Sequence, residues 1–566
     1  MNLKSVNENF FVADQLTLDD LDTIAAKGIR TLICNRPDSE QVRQPTFAEI
    51  SERAAELHIS TRYLPVVHDT INSLNVRNFN ELLLAAEAPV LAWCRSGLRS
   101  ITLWGLSRVL QGDNSATVVA QANAAGFDFS GFHSKFGGVI AELTNSFSSL
   151  PVARHCPVLI VGGGAAGIAL AASLKRRNAE LDITIVDFAT HHYYQPGFTL
   201  VGAGEMTSRQ TVRAMDQVMP KGVHWIKAAV THFLPELSQL VLANNTRLSY
   251  ERLCVCPGLK LNWAAVAGLQ ETLGKNGVTS NYLPELAPYT WQLVQDLKQG
   301  RAVFTQPAMP IKCAGAPQKA LYLSADYWQR QGLLKKISVE FCNAGAVLFG
   351  VKEFVPALLN YIERYQVALK FGHNLVKVDG ERKIATFATT DNNGNPVTTD
   401  INFDLLHVCP PQCAPDFIRN SPLADRAGWV DVDKHTLLHK HFPNVWGLGD
   451  CINVPNAKTA AAVRKQVPVV ADNLLDDMQS KQHLARYEGY GACPLTVERG
   501  RVVLAEFGYN GELQPTFPVE WLDGKEPTRL GWLLKKHVLP QVYWKLMLKG
   551  HEWLAGPVKP GSDLLP

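Results

Sequence analysis

The sequence predicts an α/β protein of several domains, and three segments carry that prediction. The first is a strand, glycine-rich turn, helix, second strand and acid in order from Val158 to Asp187. The second is a short apolar strand ending in Gly449-Asp450, followed by a helix that opens on small residues. The third runs from Val90 to Ser100, a strand that enters a Cys-Arg-Ser-Gly loop and then an apolar helix. At 566 residues the chain is long enough for three or four domains, and 46% hydrophobic with 19% charged residues is ordinary globular usage.

Residues 1–143 read as a first unit, closed by the polar stretch Thr144-Asn145-Ser146-Phe147-Ser148-Ser149 within a linker over 144–155. At its centre the strand Val90–Trp93 leads to Cys94-Arg95-Ser96-Gly97-Leu98-Arg99-Ser100 and a helix expected from Ile101 onward. Backbone amides at that helix start and the guanidinium of Arg99 would favour a thiolate at Cys94 and cradle an anion. A merely structural loop would leave the Cys, Gly and Arg placements unexplained.

Val158-Leu159-Ile160-Val161 reads as a buried parallel strand, and Gly162, Gly164 and Gly167 fit G-x-G-x-x-G ahead of a helix from Ile168 to Arg177. Such a turn seats a pyrophosphate on a helix N-terminus. The strand Ile183–Val186 ends in Asp187, twenty residues past Gly167, the carboxylate expected on the ribose hydroxyls. Asn444 to Asp450 is a strand ending in Gly-Asp, where flavoproteins with two dinucleotide folds hold the ribityl and phosphate part of FAD. Thr459, Ala460, Ala461, Ala462 and Val463 then open a helix that a flavin could approach closely. FAD is therefore expected at the first site. A nicotinamide would need a second glycine fingerprint near residue 345, and no register of Asn343 to Gly350 fits one, so NAD(P)H is not the expected electron donor. This places a Rossmann-like FAD-binding domain over 156–270 and 400–480, and a degenerate second dinucleotide-fold domain over 271–399.

Pro310-Ile311-Lys312-Cys313-Ala314-Gly315-Ala316-Pro317 sets one cysteine beside a lysine among small residues. A neighbouring cation favours the reactive thiolate, although the segment alone is equally compatible with a buried structural cysteine.

A net charge of +3 gives no reason to invoke nucleic acid. Cys254-Val255-Cys256 and Cys409-Pro410-Pro411-Gln412-Cys413 lack zinc-site spacing and no histidine cluster completes them, so no metal is expected. Eleven cysteines, and no signal peptide at Met1 to Asn7, point to a reducing compartment. No run of about 18 apolar residues exists to span a bilayer. The region 481–566 nevertheless carries Trp521, Trp532, Trp544 and Trp553, interleaved with Lys535, Lys536, Lys545, Lys549 and many leucines around Pro540. That is the composition of a helix lying in a membrane interface, the alternative being helices packed on the domain or on a second subunit. Peripheral attachment at the cytoplasmic face of a membrane is the expected location.

The stretch from about Cys156 to about Trp553 resembles the sulfide:quinone oxidoreductases of the mitochondrial type. The matching segments are His192-Tyr193-Tyr194-Gln195-Pro196 with Thr199 to Gly204, then Lys312 to Lys319 and Phe349 to Lys352. They continue through Gly428 to Asp433, Gly449-Asp450-Cys451, Lys458 to Val463 and Cys493-Pro494-Leu495. The resemblance implies a membrane quinone as electron acceptor and a pair of cysteines near the flavin, joined by a disulfide or sulfur bridge. Hydrogen sulfide opens the bridge to leave a persulfide on one cysteine, and the other passes two electrons to the flavin. Cys313 matches the first cysteine. Cys451 and Cys493 are candidates for the second, and the motif favours Cys493; sequence cannot show whether the two alpha carbons lie within the roughly 7 Å a disulfide needs. The same carry-over places FAD contacts on Ala165, Ala166, Asp187, Gln195, Val230, Asp450 and Ala460 to Val463. The sulfane sulfur would go to a small thiol, sulfite or Cys94, and a homo-oligomer is possible. A type II NADH:quinone dehydrogenase shares the architecture and stays open as an alternative.

The first unit resembles the small tyrosine-phosphatase-like domain fused to beta-lactamase-like hydrolases, with Asn35-Arg36-Pro37-Asp38 and Leu64-Pro65-Val66 also matching. Its loop departs from a phosphatase: Trp93 replaces the histidine and Arg99 lies five positions past Cys94, with Ser100 at the sixth. The shorter spacing is similar to rhodanese, whose loop holds a persulfide, so sulfur transfer at Cys94 is expected, with phosphatase activity as the rival.

Overall fold

At Val90–Trp93 and at residues 158–161 an apolar run ending in cysteine or glycine forms a buried strand with parallel neighbours. The computed structural model describes residues 1–41, 44–148, 152–391, 393–482 and 485–557. Its contacts divide it into Met1–Arg154 with Val230–Ser249 and Asn420–Pro422, and His155–Ala229 with Tyr250–Arg419 and Leu423–Pro566.

The amino-terminal sheet has five strands in the order Leu3–Asn7, Phe10–Ala13, Val90–Trp93, Thr31–Cys34, Ser60–Tyr63. All pairs but the first are parallel. The two central strands are buried at every residue, as a parallel sheet covered on both faces requires. The helix after Cys94 spans Leu98–Leu110, so it starts three residues before the expected Ile101 and takes Arg99 into its first turn. Gly97 precedes it with φ +82°, and a Cβ there would lie 3.0 Å from Val12 and 3.1 Å from Phe127, which is why the loop needs glycine. The expected linker 144–155 is corrected at both ends. Helix Phe132–Ser148 runs into it and strand Val152–Val161 begins inside it, while residues 149–151 lie outside the described residues. Polar composition alone did not separate a linker from the solvated end of a helix.

In the second unit the strand Val152–Val161 meets Ile183–Val186, which pairs in turn with Val223–Ile226, and the strand Arg247–Val255 pairs with Val445–Gly447. The glycine turn leads into helix Ala165–Arg177 and the Gly-Asp segment into helix Ala460–Met478, capped by the Thr459 side chain on the Ala462 N–H. A second parallel sheet has the order Val278–Thr279, Leu405–His407, Gly300–Gln306, Ile337–Asn343, Ala368–Phe371. Leu405–His407 belongs to this sheet, so the boundary expected at 399 falls too early: the chain crosses back only after its last strand has paired with Gly300–Gln306.

The carboxyl-terminal region is one irregular helical run from Arg529 to Lys549. Pro540 lacks an N–H, and the turns on either side of it widen to π geometry. Residues 558–566, the end of the region expected over 481–566, lie outside the described residues. Among the described residues no helix is long and apolar enough to cross a membrane.

The glycine turn has a sharp steric requirement. A Cβ on Gly167 would lie 1.8 Å from the Gly162 carbonyl oxygen and one on Gly162 2.6 Å from the Cys256 oxygen, whereas Gly164 meets nothing within 4 Å. Gly167→Ala should therefore lower stability by about 1–3 kcal/mol and reduce flavin retention, and Gly164→Ala should unfold at the wild-type urea midpoint. Equal midpoints for both variants would contradict this packing.

Candidate active site

A cavity of about 470 Å³ collects most of the predicted residues of the second unit, Cys493 lying behind its wall between the lining residues Ala492 and Pro494. Gly164, Ala165, Ala166, Asp187, Gln195, Cys313, Asp450, Ala460, Ala461 and Val463 line it. Gly162 and Gly167 are absent from the lining because they close the turn behind it, and Ala462 is 2% exposed on the inner side of its helix. Val230 also lies outside the lining: it opens the strand Val230–Leu234, 7% exposed, in the other unit. The Asp187 carboxylate accepts from the N–H groups of Gly163 and Ala189, which ties it to the glycine turn.

Cys313 lines this cavity in an unusual backbone conformation. Its φ of +55° is in the left-handed region, costly for a residue with a Cβ, and it is held there by its N–H donating to the Lys458 carbonyl at 3.0 Å. The backbone thereby aims the sulfur at Cys493, with the two sulfurs 3.8 Å apart, and Lys319 Nζ donates to Cys313 from 3.2 Å. Cys493 is fully buried in strand Gly491–Glu498 and Lys319 is 3% exposed. The hydrogen bond from Cys493 and the Lys319 charge hold the Cys313 thiol well below its ordinary range, against burial. The same bond, with burial, pushes Cys493 well above. The Lys319 charge and the Cys493 hydrogen bond thus favour the thiolate form at Cys313 over Cys493. Cys451 donates to the Val255 and Leu448 carbonyls at 3.3 and 3.5 Å, and burial pushes it up to about 12, an inert position.

Sequence reasoning missed three contributors. Lys319 stood in the Lys312 to Lys319 segment with no role assigned to it. Lys535, expected among outward lysines, is instead 2% exposed with Nζ donating to the Pro196 carbonyl at 2.8 Å, and burial lowers it to about 7. His192 is 3% exposed and lowered to about 4 by burial, so it is neutral; its Nδ1–H donates to the Gly163 carbonyl at 3.1 Å and its Nε2 accepts from Tyr543 at 2.7 Å. The carboxyl-terminal run is therefore a wall of this cavity, contributing Leu534, Lys535, Leu539, Val542, Tyr543 and Met547, with Trp553 and Leu554 just after it. Glu552 fastens it to Arg177 at 2.6 and 2.8 Å and to Ser173 at 2.7 Å. The signal available in the sequence was the alternation of buried and exposed positions in this run, obscured by Pro540.

Asn281 and Thr199 line the cavity and carry buried side-chain atoms without a hydrogen-bond partner. Together with the open face at Gly164 and the helix N-termini at Ala165 and Ala460, this fits a long, flat dinucleotide with a polar edge.

In the amino-terminal unit Cys94 is fully buried, within electrostatic reach of Arg99. Arg99 donates to both oxygens of Glu40 at 2.8 and 2.9 Å and to the Val66 carbonyl at 2.9 Å. Arg36, 1% exposed, donates to the same carboxylate at 2.7 Å and is fixed by Gln15 and Gln41. Glu40 had no motif to mark it.

The chain is 40% identical over 398 residues to the mitochondrial sulfide:quinone oxidoreductase of Mus musculus, covering 70% of this chain and 87% of that protein. The corresponding Dictyostelium discoideum protein is 40% identical over 396 residues, 69% of this chain and 86% of that one. This chain belongs to the sulfide:quinone oxidoreductase family. It is accordingly an oxidoreductase, and the pyridine nucleotide-disulphide oxidoreductase domain matched over residues 156–290 makes it a flavoprotein. The fold agrees with the solved sulfide:quinone oxidoreductase of Aquifex aeolicus, at TM-score 0.60 and 17% identity over 71% of this chain and 92% of that one. Residues 2–111 match the phosphatase-like domain of beta-lactamase hydrolase-like proteins. The Agrobacterium fabrum protein of that name is 31% identical over 112 residues, 20% of this chain and 26% of its own length.

Lys535 yields a pH prediction. Between pH about 7 and the ordinary lysine value of about 10.4 the unfolded chain binds a proton there that the folded chain does not, so stability rises with pH across that window. Lys535→Met should abolish this rise in urea midpoint and slow alkylation of Cys313 below pH 7, where the protonated lysine favours the thiolate.

Proposed function

We propose that this enzyme oxidises hydrogen sulfide at Cys313 and Cys493, passes the electrons to a membrane quinone and releases the sulfur as sulfane. The observation that carries the reading is the 3.8 Å approach of the two sulfurs with Lys319 Nζ at 3.2 Å from one of them. FAD is the flavin that suits the cavity, with Asp187 at its ribose end, Asp450 between Lys312 and Lys458, and the turn at Ala165 and Ala166 on its pyrophosphate. Bound there, it supplies the two-electron relay between thiols and quinone. In the oxidised protein a bridge joins Cys313 and Cys493. Hydrosulfide attacks one sulfur of it, forming a persulfide and freeing the other cysteine as a thiolate, which Lys319 steadies when it is Cys313. An acceptor thiolate then takes the outer sulfur. One hydrosulfide, one acceptor thiolate, one quinone and one proton give one persulfide anion and one quinol.

Peripheral membrane attachment is supported by the outer side of the carboxyl-terminal run, where Leu530 is 53%, Leu533 52% and Val538 40% exposed, with Trp521 76% exposed beside them in sequence. Because the inner side of the same run walls the cavity, this segment serves binding of the flavin as well as of the membrane, and is no detachable anchor. For the amino-terminal domain, the buried Cys94 and an Arg99 whose charge is shared with Glu40 suit a small sulfane group better than a phosphate dianion. Phosphatase chemistry at Cys94 is the second reading, favoured by the domain match.

Cys313→Ser and Cys493→Ser should each slow anaerobic bleaching of the flavin by sulfide at least ~100-fold with the flavin still bound, and Cys451→Ser should leave it within about twofold. Normal bleaching in Cys493→Ser would refute the pair. In the full chain, Cys94→Ser should abolish thiosulfate-to-cyanide sulfur transfer while sulfide still bleaches the flavin. Cys94-dependent release of phosphate from aryl phosphates, without a persulfide on Cys94 by mass spectrometry, would assign the domain to phosphatase chemistry instead.

A further inference from the structure

The hairpin that carries Cys493 has a second face. Strand Gly491–Glu498 pairs with Arg501–Phe507 so that Cys493 stands opposite Ala505 and Ala492 opposite Glu506. Successive residues of a strand point to opposite sides, so the thiol and the Glu506 carboxylate lie on opposite faces of one two-stranded sheet. Ala492, Pro494, Leu504 and Glu506 line the cavity from that other face, with Tyr490, Thr516 and Phe517 beside them.

Three acids line the cavity, and two are committed. Asp187 accepts from the backbone of the glycine turn, and Asp450 faces Lys312 and Lys458. Glu506 stands apart in a largely apolar wall, 7% exposed. Its Oε1 accepts from the Tyr490 hydroxyl at 2.5 Å and from the Thr516 hydroxyl, its Oε2 from the Thr516 N–H at 3.1 Å, and the two hydroxyl oxygens are 3.1 Å from each other. The charged groups that face this cluster come from the helix Ala460–Met478. They are Lys465, whose Nζ is 5.6 Å from the Tyr490 ring and within electrostatic reach of Glu506, and Arg464 next to it.

A closed carboxylate–hydroxyl–hydroxyl group of this kind can hold a proton and hand it on. Ionised, Glu506 accepts from both hydroxyls; protonated, it donates to one of them and turns that bond round, which leaves a hydroxyl proton available to a molecule in the cavity. We propose that Glu506, acting through Tyr490 and Thr516, is the proton donor to the quinone. This rests on the proposed quinone reduction. As the quinone takes up two electrons, one of its oxygens takes the hydroxyl proton, that hydroxyl takes the proton of Glu506, and Glu506 reloads from solution past Lys465. The second proton is the one released when hydrosulfide is oxidised. The hairpin then carries Cys493 on one face and the proton-delivering Glu506 on the other.

The test uses the flavin-loaded full chain reduced with dithionite, so that the quinone half-reaction is read whether or not sulfide is the donor. Glu506→Gln should be reoxidised by a short-tailed quinone ~100-fold more slowly and lose the pH dependence of that step. Reoxidation by ferricyanide, which takes electrons without protons, should stay at the wild-type rate. Glu506→Asp should recover part of the loss, and Tyr490→Phe should slow the quinone step alone, which serves if Glu506→Gln fails to hold flavin. Binding of a redox-inert quinone analogue, followed by quenching of tryptophan fluorescence, should be unchanged in Glu506→Gln. Wild-type quinone rates and pH profile in Glu506→Gln, or equal slowing with ferricyanide, would overturn the proposal. Failure of sulfide to bleach the wild-type flavin would instead overturn the function proposed above.

Discussion

Two sulfur atoms 180 residues apart in the chain meet at 3.8 Å, and most of the second unit is arranged around keeping them there. Cys313 sits in a left-handed conformation that a loop would relax if it were free. It is not free: its N–H is tied to the Lys458 carbonyl and Lys312 N–H to the Gln412 side chain, so the segments after Asp450 and after the second sheet both hold it. Cys493 meets it from a hairpin packed into the same apolar cluster as the helix Ala316–Arg330 that carries Lys319. A buried ammonium beside a thiolate is stable only when each compensates the other, so the nucleophile and its cation fold as one unit.

The carboxyl-terminal run shows how one helix can serve two environments. Its inner side supplies Lys535 and Tyr543, each tied to the segment His191 to Gly197 that follows the strand ending in Asp187, through Pro196 and His192 respectively. Its outer side exposes Leu530 and Leu533, which no described residue of the second unit covers fully. The neutral His192 bonds the glycine turn to Tyr543, so displacement of the run would disturb the nucleotide end of the cavity as well as the cysteine end. This coupling places flavin binding and the apolar outer surface under a single structural element.

In the amino-terminal domain the same economy of charge appears at smaller scale. Arg99 and Arg36 share one carboxylate, Glu40, leaving one net positive charge behind Cys94 among these three groups. The hydrogen bonds lower Glu40 below the usual carboxylate range, chiefly through Arg99, so the pairing persists across ordinary pH. A dianion would have to compete with Glu40, whereas a sulfur atom bound to Cys94 would not.

What the sequence determined by itself was local and short-range. The glycine turn, the strand ending in Asp187, the Gly449-Asp450 segment and the cysteine loops are each written within about thirty residues, because phosphate-binding turns and parallel strands depend on neighbours in the chain. The sequence also carried the family resemblance on which Cys493 was preferred to Cys451. What only the tertiary structure decided was long-range: which cysteine reaches Cys313, that Lys319 and Lys535 are buried among charges rather than solvated, that Leu405–His407 closes the second sheet, and that the last helical run is a cavity wall. Lysines in an amphipathic pattern look alike whether water or a cysteine sulfur lies against them. The difference is made by packing partners hundreds of residues away, which periodicity and spacing do not encode.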